Sequence, residues 1–112
     1  KEITEIDNFE KDLFNSIEKP QEIDSRYGST YFNHIFSGGY SSSYYSYMWS
    51  EVLDSSAFEV FEKNGIYDKE SGQKLKEFVY ASGNSKDLME QFIKFNGKEP
   101  DPKRLLEKRG LA

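Results

Sequence analysis

Apolar residues return at helical spacing in one segment after another, and this pattern limits the fold more than any other feature. Ile6, Phe9, Leu13 and Ile17 form one such stripe. Thr4 with Asp7 marks its start, and Pro20, which cannot continue a helix, closes it. Ser56 with Glu59 has the spacing of a capping box before Phe58, Val60 and Phe61, with Gly65 as the stop. Asp68 opens the next segment, with Leu75, Phe78 and Val79 on its inner face and Ser82-Gly83 at its end. Asn84 or Ser85 caps a further helix that carries Leu88, Phe92 and Phe95 at i, i+4 and i+7, and Asn96-Gly97 ends it. Pro100 and Pro102 punctuate a turn before a last short helix, Lys103 to Lys108, closed by Gly110. Residues 31–36 read as a short strand or a buried loop. The loop is preferred, because no second strand offers a partner. The expectation is an all-α fold of short helices whose stripes are core faces, with one long Gly/Tyr-rich loop leading into a helix.

The chain has 112 residues, one domain's worth, with no linker-like division. A domain of this size buries only a modest share of its surface, and its 36% hydrophobic content is lean. Its 16% aromatic content partly compensates, since each ring buries a large area. The formal charge of −5 argues against a phosphate-gripping surface, so no nucleic-acid partner is expected. No apolar run approaches the length that crosses a membrane. Lys1-Glu2-Ile3-Thr4 does not open a signal peptide. The first residue is not Met, so the chain reads as a piece of something longer. Cysteine is absent, which removes disulfides, thiol nucleophiles and Cys-bound zinc.

The segment with chemical potential runs from His34 to Glu51. It holds the only His, the Gly38-Gly39 pair, four of the eight Tyr and the only Trp. If it is helical from about Tyr40, then Tyr40, Tyr44 and Tyr47 share one sector with Glu51 on the same stripe. Tyr45, Trp49 and Val52 point away and would anchor the helix. A row of phenols offers neutral O–H donors. Aimed at a carbonyl oxygen that becomes negative during reaction, such donors favour the transition state over the ground state. His34 could add a second donor, and Gly38-Gly39 suits a loop that closes over a ligand. The residues alone leave plainer roles open: a hydrogen-bonded structural His, Tyr rings at an interface, a Gly-Gly turn. They include no HExxH, no Gly-x-Ser-x-Gly elbow and no phosphate-cradling loop. A single His cannot complete a two-His zinc site.

At these residues the sequence resembles a known family. The run Arg26-Tyr27-x-Ser29-x-Tyr31-Phe32-x-His34-Ile35-Phe36-Ser37-Gly38-Gly39-Tyr40, continued by Tyr44-Tyr45-Ser46-Tyr47-x-Trp49-x-Glu51-Val52-Leu53, resembles the C-terminal region of the thimet oligopeptidase family of zinc metallopeptidases. The likeness points to its bacterial peptidyl-dipeptidase and oligopeptidase A branch. Gly83-Asn84-Ser85-x-Asp87-Leu88, Phe95-x-Gly97-x-x-Pro100 and Leu105-Leu106-x-x-x-Gly110-Leu111 extend it over nearly the whole chain.

The resemblance implies a larger, almost all-helical, two-lobed enzyme that cleaves short peptides with one zinc, whose HExxH ligands lie upstream of the part seen here. Residues 1–112 would then be a single C-terminal fragment of the catalytic domain, inactive on its own. By the same likeness, His34 hydrogen-bonds substrate near the scissile bond and Tyr47 donates to the tetrahedral oxyanion. Tyr40 contacts substrate from the Gly-rich loop, Tyr44 lies near substrate, and Gly38 and Gly39 are the loop's hinge. Where family members often have Ala or Asp with small residues after the first Tyr, Ser41-Ser42-Ser43 stands here, which bears on substrate preference. The implied partners are a peptide substrate and the remainder of the same polypeptide, in the cytoplasm. The isolated fragment is expected to self-associate through faces meant for the absent portion. The alternative is a non-catalytic, aromatic-rich helical module that binds peptides.

Overall fold

The computed structural model describes residues 3–112. Lys1 and Glu2, half of the opening tetrapeptide read for a leader, lie outside the described residues. Six α-helices and no strand occur among the described residues, so the chain is all-α. It divides into two compact units, one ending at Tyr44 and the other spanning Tyr45–Ala112.

The first unit begins with α1, Ile6–Ser16. Its stripe forms at the predicted spacing, but it is not a core face. Ile6, Phe9 and Leu13 each keep over two-fifths of their surface exposed, and no residue of α1 is buried. The unit is too small to lay anything over that side. What α1 does hold is the following loop, because the Glu10 carboxylate accepts the Ser29 N–H. Residues 31–36 are neither strand nor buried loop. Ser29–Tyr31 is a 3-10 turn and Asn33–Phe36 is a single helical turn, α2.

The second unit is built on α3, Ser46–Asn64. Ser56 is no N-cap: it sits inside this helix, wholly buried, and its Oγ accepts the Asp101 N–H at 2.9 Å. Gly65 ends α3 as read. Asp68 caps α4, Lys69–Leu75, by accepting the Ser71 N–H at 2.7 Å, and that bond lowers its carboxyl below the usual range. The chain continues through a π-helical turn, Lys76–Tyr80. Helix α5, Leu88–Asn96, starts later than predicted. Asp87 rather than Asn84 or Ser85 caps it, accepting the Glu90 N–H at 2.9 Å, and Gly97 closes it. Helix α6, Pro102–Lys108, places Pro102 in its first turn, where a missing N–H costs nothing.

The buried apolar side chains are Val52, Phe92, Phe95 and Leu105, all in this second unit. Phe95 packs against Phe92 and Phe61, with centroids 6.2 and 6.4 Å apart. Charge joins α6 to α3: Arg104 donates to Glu62 at 2.6 Å, Lys108 reaches Asp54 at 3.4 Å, and Arg109 pairs with Glu51.

Candidate functional site

The sequence around His34 folds locally for reasons visible in its residues. The α2 turn is closed by the Ser37 N–H donating to the Asn33 carbonyl at 2.8 Å. Gly38 comes so near the turn that a Cβ there would lie 2.6 Å from the His34 carbonyl oxygen. Only glycine tolerates that approach. Gly39 follows with φ +78°, a left-handed conformation. The two glycines therefore fold the chain back against the turn that carries His34, and this need stands whether or not they also hinge a loop.

Three of the predicted residues are brought together in the first unit. The His34 ring lies 4.8 Å from Tyr40, tilted by 37°, and 5.6 Å from Tyr44 in an edge-on arrangement. Phe32 meets Tyr44 edge-on at 5.0 Å and stacks on Tyr27 at 4.8 Å. Tyr27 meets Tyr31 edge-on at 6.4 Å and carries the Arg26 guanidinium 5.3 Å above its ring. The His34 imidazole is thus one member of a continuous run of aromatic rings.

The route to this gathering differs from the expected one. A helix from Tyr40 would have aligned Tyr40, Tyr44 and Tyr47 on one stripe. Helix α3 begins only at Ser46, and residues 41–45 are turns. Ser41-Ser42-Ser43 has weak helical preference, since serine hydroxyls compete for backbone groups. Ring packing, not helical phase, holds Tyr40 and Tyr44 beside His34. Tyr47 belongs to the second unit, in the first turn of α3, and is half-exposed. Of the residues expected to anchor that helix, Val52 is buried, but Trp49 is 41% exposed and Tyr45 lies before the helix, exposed.

His34 also lines a recess of about 340 Å³, walled by Tyr27, Tyr31, Asn33, Ser37 and Gly38 besides. Tyr27, Tyr31 and Asn33 carried no role in the sequence reading, although the aromatic density of residues 27–32 is the signal that marks them. No group of three or more His, Asp or Glu side chains able to hold a metal ion occurs among the described residues. No described helix is long and apolar enough to cross a membrane.

The model of Peptidase family M3 matches residues 1–111. Probable cytosolic oligopeptidase A of Arabidopsis thaliana is 45% identical over 84 residues, 71% of this chain and 12% of the relative. Oligopeptidase A of Escherichia coli is 42% identical over 80 residues, again 71% and 12%. Dipeptidyl carboxypeptidase of Escherichia coli is 38% identical over 89 residues, 80% of this chain and 13% of the relative. The chain therefore spans about an eighth of the length of the curated relatives it matches.

Proposed function

The chain belongs to Peptidase family M3, and from that footing we propose that it is the C-terminal piece of the catalytic domain of a peptidase that hydrolyses short peptides. In this reading its part is to bind substrate and to stabilise the oxyanion. The names of the relatives, oligopeptidase A and dipeptidyl carboxypeptidase, support the substrate class. The observation that carries the reading is the packing of His34 against Tyr40 and Tyr44 beside an open recess.

The chemistry follows from the donors. When a peptide carbonyl becomes tetrahedral, its oxygen gains negative charge. A neutral phenol placed to donate to that oxygen stabilises it more in the transition state than in the ground state. Tyr47 takes this role, and His34 hydrogen-bonds the substrate next to the scissile bond. Tyr40 and Tyr44 hold the imidazole in orientation and contact the substrate. The family likeness implies one zinc and assigns its ligands to the remainder of the parent polypeptide. Relatives are named both as cytosolic and as chloroplastic/mitochondrial; the cytoplasmic assignment follows the former.

The test is Tyr47→Phe in the full-length parent. It should lower kcat about a hundredfold or more with little change in KM. An unchanged kcat removes the oxyanion role. The 112-residue chain alone should leave an internally quenched peptide uncut. Tight peptide binding by the short chain, with an inactive parent, would favour a non-catalytic binding module instead.

A further inference from the structure

We infer that Tyr27, Tyr31 and Asn33 wall a specificity subsite beside His34 that accepts one uncharged, preferably aromatic, side chain of the peptide substrate. The inference rests on the peptidase reading and adds the residue class that the site selects.

The recess is small. At about 340 Å³ it lies at the low end of ligand pockets and is ample for one aromatic side chain. His34 is part of its wall, so a side chain seated there belongs to a substrate residue next to the bond that His34 contacts. The walls are two phenol rings, an amide, a hydroxyl and an imidazole. None carries a fixed charge, and the rings brace one another. Tyr27 and Tyr31 stand edge-to-face at 71°, and Phe32 backs Tyr27 in a near-parallel stack. A substrate ring in the recess would lie against the exposed part of Tyr31, edge or face on, in the arrangements aromatic pairs favour.

The cluster is also fixed before substrate arrives. The Tyr31 ring comes within 3.1 Å of where a Cβ on Gly28 would sit, so it lies directly against that backbone. The Ser29 N–H bond to Glu10 holds the same loop down on α1. Tyr31 itself is 63% exposed, leaving area to be covered by a ligand without reordering the loop. Prior ordering of this kind lowers the entropic cost of binding. The nearest charged groups lie outside the lining: Glu10 accepts the Ser29 N–H, and Arg26 sits over the Tyr27 ring.

The experiment uses the full-length parent and internally quenched peptides that carry Phe, Lys or Ala at each position flanking the scissile bond. The wild type should cleave the Phe peptide with higher kcat/KM than the Ala peptide at one flanking position. Tyr31→Ala should reduce that Phe/Ala ratio about tenfold, and Tyr31→Phe should preserve it. Asn33→Asp, which leaves the rings in place, should raise the Lys/Phe ratio about tenfold by adding a negative charge to the wall. Ratios unmoved by Tyr31→Ala and Asn33→Asp, in a parent that still cleaves the peptides, overturn the subsite and leave the peptidase reading standing. Equal losses on all peptides assign these residues a structural role and also overturn it. A parent that cleaves none of them overturns the peptidase reading and the subsite together.

Discussion

Gly38 and Ser56 show how much a single atom decides here. At Gly38 an added methyl would meet a backbone oxygen 2.6 Å away, and backbone cannot rotate aside as a side chain can. Gly38→Ala should therefore destabilise the α2 turn by about 1–3 kcal/mol, the usual cost of overpacking. Urea unfolding of the chain checks this, and an unmoved midpoint would show that the turn relaxes freely. At Ser56 the hydroxyl is the acceptor for the Asp101 N–H that opens α6. Ser56→Ala leaves that N–H without a partner in a part-buried position, which costs about 1–3 kcal/mol. A midpoint equal to wild type would mean that water replaces the hydroxyl. The serine's spacing to Glu59 imitates a capping box because a helix start and a helix interior can carry the same four residues. Only the length of α3, which begins ten residues earlier, separates the two.

At the scale of elements, Glu59 links three parts of the second unit. From the middle of α3 it reaches Lys63 at 2.6 Å, Lys98 beyond α5 at 3.1 Å, and Arg104 of α6 at 3.7 Å. The neighbouring ammonium groups, Lys63 first and then Lys98, hold its carboxyl at about 2, well under the ordinary 4.5. A carboxyl lowered by folding stabilises the fold fully above its free value. The contribution fades as pH drops from about 5 toward 2. With solvent screening it is on the order of 1–3 kcal/mol. The unfolding free energy should fall over that range, and Glu59→Gln should flatten the fall. A Gln variant with the same acid sensitivity as wild type would remove Glu59 from the account. Helix existence was legible from apolar spacing and from Gly65, Gly97 and Pro102. Starts were less so: α5 waits for Asp87, and α3 waits until after the serine run, because several polar residues in a row offer competing caps.

For the whole molecule the balance of buried and exposed apolar surface is the governing fact. Val52, Phe92, Phe95 and Leu105 are buried, while Ile6, Phe9, Leu13, Trp49 and Leu106 each keep over two-fifths of their surface in solvent. Exposed apolar area of that extent favours association. The isolated 112-residue chain should form dimers or larger species as its concentration rises, read by light scattering. A monomer mass at every concentration would show that these faces do not associate. The expectation that α1 presents a core face fails for the same reason, since periodicity tells which residues share a side but not whether anything lies against it.

The sequence alone settled that the chain is helical, where most helices stop, and which block carries the chemistry. These depend on neighbours within a few positions, through backbone hydrogen bonding, proline and glycine. Tertiary structure decided the rest. It set His34 against Tyr40 and Tyr44 by ring packing instead of along a helix, put Ser56 under Asp101, and joined Tyr27, Tyr31 and Asn33 to the His34 recess. Such contacts depend on how the chain turns between helices, and no residue spacing encodes that turn.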